Sequence, residues 1–193
     1  MTLNILPPSG DRFRLRPVEP QHAPMFCFAL LTMSCALASF AFACATPFAA
    51  FAVVAAATLR LRLALLVVTG VWLVNQTIGF GALHYPIDAS TIAWGFVIGA
   101  AALAATLVSS AVLRILPPGR TPLWLAVALA CAYGAYELTL FAATPVLGGA
   151  GAFTVAIVGR LGLLSALWLI GLVAVCEIVR LVDPFRRSRA VAG

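Results

Sequence analysis

The stretch from Pro47 to Arg62, PFAAFAVVAAATLRLR, decides the fold. It is apolar from Pro47 to Leu59, and then Arg60 and Arg62 end the run. About 13 residues is short of the roughly 20 that cross a bilayer as a helix. As a separate span it must tilt into a bundle, enter partway, or extend past its arginines with their heads snorkelling. Merged with the apolar residues up to Phe80, it would instead give five spans and turn every later loop to the other side.

The arginines choose between these readings. Five other apolar runs flank the short one: Pro24 to Cys44, Leu63 to Phe80, Thr91 to Leu116, Pro122 to Leu147 and Thr154 to Val182. Pro117-Pro118-Gly119, Gly148 to Gly151 and Asp183-Pro184 punctuate them. With six spans and the N-terminus inside, the inner segments hold Arg12, Arg14, Arg16, Arg60, Arg62, Arg114, Arg120, Arg180, Arg186, Arg187 and Arg189. The outer loops near 45–46, 81–90 and 148–153 hold none. That asymmetry is the positive-inside pattern. Five spans would put Arg114 and Arg120 outside. The expected fold is therefore an all-α membrane protein, a compact bundle of six transmembrane helices over residues 24–183 with both termini cytoplasmic. A Pro-broken irregular tail, 1–23, precedes it, and a basic tail, 184–193, follows.

Composition agrees. Hydrophobic residues make up 63% of the chain and charged ones 9%, which excludes an ordinary soluble domain. The net charge of +6 sits at span ends with no basic, aromatic-interleaved stripe, which argues against nucleic acid. Cys27, Cys35, Cys44, Cys131 and Cys176 all fall in or at the ends of apolar runs without a CxxC pair. They read as small buried hydrophobes, not as disulfides or zinc ligands. The first apolar run is too long for a signal-peptide core and is expected to remain as a span.

Polar residues concentrate in the outer half. Asn75 and Gln76 close the third span. His84, Tyr85 and Asp88 follow in the loop, and Trp94 opens the fourth span. Tyr133 and Glu137 lie one turn apart in the fifth span. Arg160 lies about six residues into the sixth. An ionisable residue inside a span is a functional candidate by default. These nine form the candidate substrate site, a cavity open to the periplasm. Each also has a plainer reading. Tyr85 and Trp94 suit an aromatic belt, His84 a solvated loop, and Asp88 or Ser90 a helix N-cap of the fourth span. Asn75 and Gln76 suit interhelical hydrogen bonds, and Glu137 with Arg160 an ion pair. Glu177 and Arg180 form a local i,i+3 pair by default. The bias of polar groups toward one half is what a structural role alone does not predict.

The chemistry on offer is binding chemistry. The chain has no HExxH, Walker A, GxSxG or paired-carboxylate motif, and no zinc spacing. It is not expected to be an enzyme or to hold an intrinsic cofactor. Hydrogen-bonding groups, aromatic faces and one cation suit a partly planar, amide-rich ligand.

Six short spans and the run Asn75-Gln76, Gly79-Phe80, Tyr85-Pro86, Thr91, Trp94-Gly95 resemble the substrate-binding S components of energy-coupling factor vitamin transporters. Within them, the run resembles the BtuM-like cobalamin transporters of Gram-negative bacteria. The topology covers the whole chain and the motif about 21 residues. The resemblance implies a protein of the bacterial inner membrane that captures cobalamin or another corrinoid from the periplasmic side. It also implies an energising partner, a transmembrane coupling subunit with ATPases. Tyr85 would contact the corrinoid and Arg160 would line its pocket. The family places a cysteine near the end of span three as axial cobalt ligand, but residues 78–83 are Ile-Gly-Phe-Gly-Ala-Leu. His84 is then the nearest candidate for the metal, since imidazole suits first-row transition metals. The small-xxx-small pairs Ser34/Ala38 and Ser39/Ala43 offer a face to the coupling subunit. The competing classes are a structural or assembly subunit of a larger membrane complex and a small membrane enzyme using Glu137 or His84.

Overall fold

The computed structural model describes residues 15, 17–42, 45–116 and 121–182. Arg12, Arg14, Arg16, Ala43, Cys44, the 117–119 turn, Arg120, Asp183-Pro184 and the basic C-terminal tail lie outside them. Six α-helices account for most of the described residues, which include no strand. They are α1 Ala23–Phe42, α2 Phe48–Thr58, α3 Leu61–Thr77, α4 Ala89–Ile115, α5 Thr121–Leu147 and α6 Val155–Val182. A π-helical turn, Ile78–Ala82, continues α3, and a 3-10 turn, Ala150–Ala152, precedes α6. Five helices are long and apolar enough to cross a membrane, and α2 is not. The chain is a multi-pass helical membrane protein. The end carrying Arg60 and Arg62 is named inner below, following the arginines, and the opposite end outer.

The short helix is the centre of the bundle. Ten of its eleven residues are buried, and it packs against α1, α3, α4, α5 and α6. A helix apolar on every side belongs in a protein interior, and its alanines let five neighbours approach closely. Its length is about 16 Å, against about 30 Å of hydrocarbon. Extension past the arginines does not occur. Leu59 (φ −116°, ψ 163°) and Arg60 (φ −69°, ψ 151°) are extended backbone. The helix thus stands within a protein shell and need not span the membrane.

Because α2 is short, both of its ends need cover. At the inner end the tail supplies it: the Leu15 amide donates to the Ala57 carbonyl at 2.8 Å, and the Leu15 side chain joins the core. Part of the tail expected to be merely irregular is therefore docked. At the outer end Pro47 precedes Phe48 without a side-chain cap.

The other helices form the shell. The α4–α5 pair is the most extensive, and α5 and α6 share little. Trp72 of α3 donates its indole N–H to the Gly95 carbonyl of α4 at 2.9 Å. Between α1 and α6, the Trp168 indole N–H donates to Ser34 Oγ at 2.5 Å, and its ring meets Phe42 edge-on at 5.7 Å. Ala38 and Ser39 are buried. The described part of the small-residue stripe on α1 thus serves packing inside the bundle, which removes it as a face for a coupling subunit. Cys27, Cys35 and Cys176 are buried, whereas Cys131 is exposed on α5, contrary to its reading as a buried residue.

Candidate functional site

Above the outer end of α2 the shell encloses a cavity of about 330 Å³. Phe48 and Ala49 form its floor. Trp94 and Ile98 of α4, Tyr133, Tyr136 and Glu137 of α5, and Ile157, Leu161 and Ser165 of α6 form its walls. Gly149, Ala152 and Phe153 of the α5–α6 turn cover it. The cavity follows from length: the long helices continue outward for several turns beyond the point where α2 begins.

Local structure orients the aromatic groups. Phe48 stacks on Tyr136 with centroids 6.5 Å apart and meets Phe51 edge-on at 5.7 Å. The Tyr133 hydroxyl donates to the Val158 carbonyl at 2.6 Å, tying α5 to α6. Glu137 follows Tyr133 by one turn and is the only charged residue of the lining among the described residues. The covering turn has Gly148 at φ 80° and Gly149 at φ 86°, a left-handed backbone that glycine adopts without steric cost. Gly149 rests over the Trp94 indole. Five aromatic rings, one carboxyl group and the hydroxyls of Thr46 and Ser165 face the space. Such a set holds a flat or apolar ligand and offers an acceptor to one donor group on it.

Three of the nine candidate residues, Trp94, Tyr133 and Glu137, line this cavity. The other six do not. Asn75 donates through Nδ2 to Ser39 Oγ at 2.9 Å and to Thr46 Oγ1 at 3.1 Å. Gln76 donates to Asn75 Oδ1 at 3.1 Å, and its own amide oxygen lies against Gly95. This network joins α1, the α1–α2 connection and α3 behind the cavity wall, through Thr46. Tyr85 lies over Gly79, where a Cβ would come within 2.8 Å of its ring, and meets Phe80 edge-on at 6.3 Å. It covers the π-turn. His84 is exposed in the loop at φ 53°, a left-handed conformation in which histidine is enriched.

Asp88 caps α4. Its carboxylate accepts from the Thr91 amide and from the Thr91 hydroxyl, both at 2.9 Å. The Thr91 amide holds this carboxyl below its ordinary range. Arg160 is exposed in a separate groove between α1 and α6. It forms no salt bridge with Glu137 among the described residues. The expected i,i+3 pair is present, with Arg180 and Glu177 at 2.5 Å. No group of three or more His, Cys, Asp and Glu that would hold a metal occurs among the described residues.

Sequence reasoning missed Phe48, Tyr136 and Phe153 as lining residues. The usable signal was the short span itself, since a central helix too short for the membrane leaves space at an end.

These features define a helical membrane protein with an aromatic cavity in its outer half. Compared with known proteins, the chain matches no family model, no curated protein and no solved structure.

Proposed function

We propose that the protein is a substrate-binding uptake protein of the bacterial inner membrane. It captures a vitamin-class ligand from the periplasmic side in the cavity above α2. The observation that carries this reading is the cavity itself, with Trp94, Tyr133, Tyr136 and Phe48 around the single carboxyl group of Glu137. A volume near 330 Å³ lies at the small end of ligand sites. It suits one planar ring system held between aromatic faces, with a donor group on Glu137. A complete corrinoid carries more atoms than this space encloses. Cobalamin would enter only with the 148–154 turn displaced.

The corrinoid reading keeps His84, exposed on the loop before α4, as the candidate ligand to the cobalt of the cargo. An energising module of coupling subunit and ATPases would drive release inside. The test is equilibrium binding to purified protein of cobalamin and of smaller planar vitamins, paired with growth rescue of uptake mutants. Binding that Glu137→Gln and Trp94→Ala weaken supports the reading. No binding at micromolar concentration and no rescue by any of these ligands removes it. A cobalamin spectrum unchanged by His84→Ala removes the metal role alone.

A second reading, a structural subunit of a larger membrane complex, is favoured by the Ser39–Asn75–Thr46 network. It assigns the outer polar groups to holding helices together. Co-purification of a stoichiometric partner, without ligand binding, supports it.

A further inference from the structure

Arg160 stands apart from the cavity and from every acid among the described residues. It is the sixth residue of α6, about 8 Å along the helix from its outer end. Its side chain is exposed, and no carboxylate among the described residues pairs with it. It lies in a groove of about 680 Å³ between the outer ends of α1 and α6. Every other lining residue is apolar, including Phe40, Leu163 and Leu167. Deeper in the bundle, Trp168 ties the two helices together.

An unpaired guanidinium at this depth is costly in hydrocarbon unless it reaches the interface or meets an anion. Arginine forms bidentate, charge-assisted hydrogen bonds with phosphate. A long apolar groove carrying a single cation, within snorkelling reach of the head groups, has the shape and charge of one phospholipid. We propose that this groove seats an anionic phospholipid, with its phosphate on Arg160 and an acyl chain along Phe40, Leu163 and Leu167.

The seat has a consequence for the cavity. Ala45, Ile157 and Leu161 line both spaces. The partition between them is one layer of side chains, and a seated chain closes the cavity laterally.

The test uses the full chain in neutral detergent, offered equal amounts of phosphatidylglycerol and phosphatidylcholine. Native mass spectrometry reads retained lipid, and thermal unfolding reads stabilisation. The expected result is preferential retention of one phosphatidylglycerol and a rise in Tm with it, but not with phosphatidylcholine or inorganic phosphate. Arg160→Gln should cut the preference roughly tenfold, about the weight of one charge-assisted hydrogen bond. Arg114→Gln, at the opposite end of the bundle, should leave it unchanged. Equal retention of the two lipids overturns the proposal, as does an unchanged preference in Arg160→Gln. Stabilisation by inorganic phosphate equal to that by phosphatidylglycerol overturns the lipid as occupant.

Discussion

The two ends of α2 solve one problem in opposite ways. The helix is about half the length the membrane asks for, so each end leaves space inside the shell. At the inner end the chain's own tail packs over it, with Leu15 bonded to Ala57 and buried in the core, and leaves a pocket of about 470 Å³ between the tail and Thr58, Leu59 and Arg60. At the outer end no segment among the described residues inserts, and aromatic side chains line what remains. The difference teaches that what covers each end differs: a tail residue anchored to the α2 backbone at one, aromatic side chains of the long helices and their connecting turn at the other.

Phe48→Ala breaks the comparison hardest. Phe48 is fully buried and is both the floor of the cavity and part of the core. Truncation should cost about 3–5 kcal/mol, read as a large fall in Tm in detergent. A variant as stable as the parent would mean that the floor carries no core packing and that the outer end is looser than described.

Leu15→Ala attacks the other end. A buried leucine truncated to alanine costs about 2 kcal/mol at the low end of its range, fitting for a plug held by a short segment. Proteolysis of the tail should accelerate in parallel. If neither Tm nor cleavage moves, the inner end is not held by the tail and the asymmetry between the ends disappears.

Asn75→Ala and Glu137→Gln sharpen the contrast at the outer end itself. Asn75→Ala removes the donors to Ser39 and Thr46 and should cost about 1 kcal/mol of stability, near the typical worth of interhelical hydrogen bonds. Ligand affinity should barely change. Glu137→Gln should do the reverse: stability within about 0.5 kcal/mol, with ligand binding weakened about tenfold. Equal effects of both variants on binding would place the network within the site and merge what the geometry separates.

The sequence carried depth but not azimuth. Arginine spacing and punctuation located every helix to within a few residues, and the Asp88–Thr91 cap and the Glu177–Arg180 pair were readable as local patterns. Glu137 and Arg160 both lie in the half opposite Arg60 and Arg62, yet they face different spaces. On α6, Ile157, Leu161 and Ser165 repeat every four residues and form the stripe that faces the cavity. Arg160 belongs to the neighbouring stripe with Leu163, Leu164 and Leu167. With 3.6 residues per turn, one position rotates a side chain by about 100°. In a helix apolar on both stripes, nothing in the sequence says which stripe meets α5. The same limit hid the partners of Asn75, on α1 and at Thr46, although its plainer reading as an interhelical hydrogen-bonding residue holds.

The smallest expected effect lies at the start of α4, where the outer loop meets the cavity wall that carries Trp94. Asp88 caps this helix through Thr91, and the Thr91 amide holds its carboxyl below the ordinary range. The folded chain therefore binds this proton less readily than the unfolded chain, whose value is roughly 3.9. The contribution of the cap is complete above that value and is lost as pH falls through the lower folded value. Neutral pH leaves it intact. Protection of the Thr91 amide from hydrogen exchange, taken relative to its intrinsic rate at each pH, should thus fall only in strong acid, and Asp88→Ala should lower it at every pH. Asp88→Asn keeps a side-chain acceptor without a titrating proton, so its exchange should be slow at neutral pH and lack the acid step. An acid step that persists in Asp88→Asn would assign it to another group and leave the Asp88 cap with no role in the pH response of this end of the bundle.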